Sequence, residues 1–203
     1  MHSCPSYNSS SLIQKCDGKR RAVIHLLVTA ITIACFFRSK NWRQSGRYHT
    51  TALYMIVGNL LYLLLTAGFV LWRFSPEFEL LPIVFELSYT FIVFPLTVLM
   101  FLNSYPQGRV HIAKHYAKWI LLYSGFELVL AWNGRMLYGN GWNWYYSTAF
   151  DVLMFPMLLL HSRKPLIAYA VSVPIIILLV WYFKVPIEPI ARAILETRWS
   201  PAN

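Results

Sequence analysis

Residues 165–183 read PLIAYAVSVPIIILLVWYF, an unbroken stretch without a single Lys, Arg, Asp or Glu. About twenty predominantly apolar residues suffice for a helix to cross the hydrocarbon core of a bilayer. Strands of a membrane barrel would alternate apolar and polar side chains, and Ile175 to Val180 does not alternate, so the stretch predicts a helix. Working outward from it, five more apolar blocks emerge at approximately 22–37, 52–72, 80–102, 117–133 and 146–161. The first and fifth are short, which calls for snorkelling flanks or helices close to the bilayer normal.

The expectation is an all-α, polytopic membrane protein, a bundle of about six transmembrane helices over residues 22–183. Composition agrees: 57% of the 203 residues are apolar, 17% aromatic and 13% charged, with mean hydropathy +0.47. An ordinary soluble domain carries nearer a quarter charged residues. Residues 1–21 are polar and Ser-rich and predict a disordered tail ending in Lys19, Arg20 and Arg21. Thr32-Ile33-Ala34-Cys35 distantly echoes a lipoprotein cleavage site, but cleavage would export the cations from Arg38 to Arg47, so an uncleaved first span is preferred. In the tail 184–203, Ile190, Ala191, Ile194 and Leu195 have helical spacing, with Trp199 nearby; a short interfacial helix and a frayed end both fit.

The net charge of +10 flanks the apolar blocks instead of forming a basic domain, which points to anionic headgroups as the partner and away from nucleic acid. Six spans place both termini on one side. The opposite loops carry Arg38, Lys40, Arg43, Arg47, Arg109, Lys114, Lys118, Arg163 and Lys164, nine cations against Arg73 and Arg135. By the positive-inside rule those nine face the cytoplasm and the termini lie outside, although Lys15, Lys19, Arg20 and Arg21 oppose this. Cys4, Cys16 and Cys35 form no Cys-x-x-Cys pair and imply no disulfide framework.

His25, Asn59, Glu86, Glu127 and Asp151 fall inside the blocks. A charge at bilayer depth is costly unless paired or hydrated, so these side chains should face the bundle interior. Counting from the block ends, Glu86, Glu127 and Asp151 each lie roughly 8–9 Å below the same membrane surface, with His25 on that side and Arg73 and Arg135 at its rim. A shared polar cluster of Glu86, Glu127, Asp151 and His25 is the sharpest expectation. It would bind a cation or pass protons; alternatively each acid pairs locally and only locks the bundle.

Pro95, Pro156 and Pro174 interrupt their blocks and predict kinks, for packing more readily than for gating. His111 and His115 stand at i and i+4, with His49 and His161 on the same predicted face. Ile112 occupies the Glu position of a His-Glu-x-x-His motif, so a basic face against headgroups is preferred and no metal is expected. The aromatic loop from Tyr138 to Tyr146 suits the headgroup layer, with a binding lid the rarer alternative. No phosphate loop, dinucleotide fingerprint, nucleophile elbow or inverted repeat is present; no catalytic residue or cofactor is implied. The readings that remain are a small-solute or ion pathway, a non-catalytic protein organising lipid or a partner complex, and, last, a lipid-modifying enzyme, whose histidines and acids would lie in opposite leaflets.

Tyr54-Met-Ile-Val-Gly-Asn-Leu-Leu-Tyr62, Phe94-Pro95, Tyr105-Pro-Gln-Gly-Arg109, Asn140-Gly-Trp-Asn-Trp144, Met154-Phe-Pro156, Lys164-Pro165 and Lys184-Val-Pro-Ile187 together span most of residues 36–187. In these segments the chain resembles a small group of multi-span membrane proteins from endospore-forming Gram-positive bacteria, named after a clostridial locus. The resemblance implies a multi-pass protein of the bacterial cytoplasmic membrane and no assigned activity. Members of the group often carry Asp where this chain has Asn59, and usually begin near the first span, which makes residues 1–21 an appendage or a misplaced start.

Overall fold

The computed structural model describes residues 9–39, 41–75 and 82–187. Each apolar block becomes a helical rod. These are α1 (Ser9–Arg38), α2 (His49–Leu65), α3 (Pro82–Ser88) continuing through a π-helical turn (Tyr89–Val93) into α4 (Phe94–Asn103), α5 (Arg109–Trp132), α6 (Trp144–Arg163) and α7 (Pro165–Tyr182). Helix α1 starts well before the apolar block, so residues 9–21 are helical where polar composition predicts a disordered tail. Once the apolar part nucleates a helix, extension costs little per residue, and Leu12, Ile13, Gln14 and Lys15 tolerate it. Residues 1–8 and the expected interfacial helix around Ile190 to Trp199 lie outside the described residues.

Among the described residues two helices, Val84–Asn103 and Pro165–Tyr182, are long and apolar enough to cross a membrane; Ile24–Arg38 and His49–Leu65 are shorter apolar helices. The prolines sit differently from one another. Pro95 is buried one residue past the π-helical turn, whose wide register shows in the Phe94 N–H bonding to the Tyr89 carbonyl. Helices α6 and α7 run on through Pro156 and Pro174, and both rings lie on exposed faces.

The second block ends earlier than its hydropathy suggests. Helix α2 stops at Leu65, and Trp72–Phe74 forms a strand, β1, antiparallel to Met136–Tyr138, β2, with Trp72 opposite Tyr138 and Phe74 opposite Met136. Aromatic and branched residues from Phe69 to Phe74 favour an extended backbone, and the hydroxyl of Tyr62 holds it there. That hydroxyl donates to the Trp72 carbonyl (2.7 Å) and accepts from the Trp72 N–H (3.0 Å). The Gly139 N–H bonds the Leu71 carbonyl, and a Cβ on Gly139 would meet the Val70 carbonyl oxygen at 2.8 Å. The ribbon therefore ties the α2–α3 and α5–α6 connections together at one end of the bundle. At the other end the Arg163 guanidinium lies over the Tyr105 ring, joining the α6–α7 and α4–α5 connections.

Helix α6 packs against α5, α7 and α2, and its Met154, Phe155 and Leu158 meet Val98, Phe101 and Leu102 of α4 and Trp119 of α5 in the largest buried cluster. Helix α7 is the opposite case. Ala168 is its one buried residue, while Leu166 (82% exposed), Ile177 (63%) and Trp181 (77%) point outward.

Replacing Gly139 by Ala forces the ribbon apart and should lower the stability of the detergent-solubilised protein by about 1–3 kcal/mol, read as a drop in melting temperature. Gly125→Ala, at a helical position with nothing within 4 Å of the added carbon, should leave it unchanged or slightly raised.

Candidate functional site: the polar end beneath the ribbon

The acids meet the ribbon one strand each. On the β1 side the Phe74 N–H donates to Glu86 Oε1 at 3.2 Å, and on the β2 side the Tyr138 hydroxyl donates to Glu127 Oε1 at 2.7 Å. Burial, reinforced by the Glu127 carboxylate, pushes the Tyr138 hydroxyl well above the ordinary phenol range, so it remains a donor at any pH the protein meets.

Of the four expected site residues, Glu127 of α5 and Asp151 of α6 lie close enough for their charges to interact. Ser147, one turn before Asp151 on α6, accepts from the indole N–H of Trp142 at 2.7 Å. Tyr123, one turn before Glu127 on α5, feels the Asp151 charge and is hydrogen-bonded through its hydroxyl to Thr97 of α4. Asp151 itself is 6% exposed, and its Oδ2 has no hydrogen-bond partner.

His25 is enclosed by the rings of Phe74 (5.2 Å), Phe85 (5.0 Å) and Tyr89 (5.7 Å), with Nδ1 at 3.2 Å from the Tyr89 hydroxyl. Of the rim cations, Arg135 is buried with its charge felt at His25, whereas Arg73 is exposed. Asn59 donates to the Thr90 hydroxyl (2.7 Å), which in turn donates to the Glu86 carbonyl, tying α2 to the α3 rod.

Among the described residues no three His, Cys, Asp or Glu side chains are grouped as metal ligands. His115 stacks on Phe101 and its Nε2 lies 3.0 Å from the Phe101 carbonyl oxygen, while His111 is exposed. The aromatic loop is part of the fold. Trp142 is buried against Leu71, Phe183 and Val185, and the Trp144 indole donates to the Ser124 carbonyl. No protein-family model, curated protein or solved structure matches the chain.

Sequence reasoning missed Tyr138, Ser147, Tyr123 and Phe74. Ser147 and Tyr123 were legible as i−4 neighbours of Asp151 and Glu127 on their helices. Tyr138 and Phe74 were not, because their placement depends on pairing two segments far apart in the chain.

Tyr138→Phe removes the donor to Glu127 and should cost about 1–3 kcal/mol of stability. Asp151→Asn removes a buried charge without breaking a hydrogen bond to Oδ2, and its melting temperature should equal or exceed that of the parent. A loss as large as that of Tyr138→Phe would make Asp151 a structural clamp.

Proposed function

We propose that the chain is an integral, multi-pass protein of the bacterial cytoplasmic membrane, with about six spans, that passes a small ion in a proton-linked manner by way of the Glu127–Asp151 pair. We also place it, on its sequence segments, among the multi-span proteins of endospore formers that it resembles. The outward apolar face of α7 supports lipid as the surrounding solvent. With the basic loops at the Arg163 end facing the cytoplasm and touching anionic headgroups, the ribbon and both termini face outward.

One observation carries the pathway reading: Asp151 is buried beside a second carboxylate and keeps an oxygen without a partner. An unsatisfied buried acid costs stability, and intramembrane acids of this kind mark ion or proton routes. The second reading, a non-catalytic protein organising lipid or a membrane partner, is favoured by Glu86 and Glu127, each of which has an oxygen held by the ribbon. A lipid-modifying enzyme has less support, since His25 is walled in by three aromatic rings.

In liposomes with an imposed ion gradient, Glu127→Gln should reduce flux at least about tenfold while the protein still folds. Undiminished flux would overturn the pathway; lost expression or melting temperature with it would favour the structural reading.

A further inference from the structure

We propose that the permeating ion is the proton and that the buried face of α6 is its route, with Asp151 at the ribbon end, His161 at the basic end and a dry plug of Met154, Phe155 and Leu158 between them. The proposal rests on the pathway reading above and names its substrate, its second site and its gate.

Ser147, Asp151, Met154, Phe155, Leu158 and His161 are the buried residues of α6, and their spacing puts them on one face. Asp151 and His161 are ten residues apart, about 15 Å along the axis. They share an unusual property: each is more than nine-tenths buried, and each keeps one titratable atom without a partner, Oδ2 of Asp151 and Nε2 of His161. Such atoms are rare in folded proteins because each forfeits a hydrogen bond.

The surroundings of His161 suit a site that takes and releases a proton. Its Nδ1 lies 3.0 Å from the Thr51 hydroxyl of α2; when Nδ1–H donates there, Nε2 carries the free lone pair. The ring stacks on Tyr54 of α2 at 4.3 Å and meets the edge of Tyr169 of α7 at 5.1 Å. An aromatic face and the last turn of a helix favour an imidazolium, while burial opposes it. The next cation in the chain, Arg163, turns to the Tyr105 ring, and Lys164 is exposed. Asp151 lies close enough to Glu127 and Tyr123 of α5 for their charges to interact.

Between the two sites Phe155 and Leu158 are each 1% exposed, and Phe155 packs on Phe101 (4.9 Å) and on the Tyr123 ring (5.2 Å). An apolar constriction of this kind gates by excluding water. Transfer is then a proton leaving Oδ2 of Asp151 to water that enters when the plug opens, and passing from that water to Nε2 of His161. The carboxylate is left anionic and the imidazole becomes cationic until it releases the proton to the basic end.

The test uses the full chain in liposomes holding a pH-sensitive dye, with a potassium diffusion potential as driving force. Asp151→Asn and His161→Gln should each cut proton flux at least about tenfold, and Phe155→Ala should raise it several-fold. If Asp151→Asn abolishes flux and His161→Gln does not, the route through His161 is overturned while the pathway stands. Sodium or potassium flux without proton flux likewise overturns this inference alone, and no ion flux above protein-free liposomes overturns both. Should His161→Gln fail to fold, Thr51→Val keeps the imidazole but removes its Nδ1 partner. The pH of half-maximal flux should then move by about half a unit or more; an unchanged profile would overturn the proposal.

Discussion

Everything in this fold depends on what solvates α7. The helix buries Ala168 and turns Leu166, Ile177, Leu178 and Trp181 outward. Full burial of such side chains is worth roughly 1.5–3 kcal/mol each. Leaving four or five of them in water forgoes about 10 kcal/mol, as much as the entire net stability of a typical domain. Lipid removes the conflict, because in hydrocarbon an apolar outer face is the stable one and the buried positions are free to be polar. The same condition makes sense of Leu121 and Trp132 on the outside of α5.

Seen from that constraint, the polar end becomes a problem of satisfying acids at depth. The ribbon answers it in two places, with a backbone N–H from Phe74 for Glu86 and a hydroxyl from Tyr138 for Glu127. Tyr62, by clasping both backbone groups of Trp72, holds the ribbon where those donors are in range. Asp151 is left with one oxygen unanswered, and so is His161 with one nitrogen at the far end of the same helix. Satisfied groups fix the bundle, and Asp151 and His161, like His25 with its Nε2, each keep a buried titratable atom without a partner.

The helices were largely legible in the sequence, because long apolar blocks with few charges and no period-two alternation leave few alternatives to a helix. Their ends were less so. The apolar run from Ala52 to Trp72 hides the strand, since hydropathy does not distinguish the last turn of a helix from an aromatic ribbon whose partner lies more than sixty residues away. The depth argument put the acids at one end, but depth says nothing of azimuth. Glu86 takes the Phe74 N–H and Glu127 the Tyr138 hydroxyl, one from each strand of the ribbon. His161 reads in the sequence as part of a basic face with His111 and His115, whereas the structure buries it; its helical spacing from Asp151 was the signal that placed it inside.

The central claim is that these helices cross lipid in alternation, with the ribbon and the basic loops on opposite faces. Single cysteines in an otherwise cysteine-free chain, reconstituted in sealed vesicles and treated with a membrane-impermeant maleimide, test it directly. Ser75→Cys and Asn140→Cys should label from one side, Gly46→Cys, Gln107→Cys and Arg163→Cys from the other, and Leu121→Cys and Ile177→Cys from neither. Free labelling of Ile177→Cys, or of Asn140→Cys and Arg163→Cys from the same side, would contradict the account.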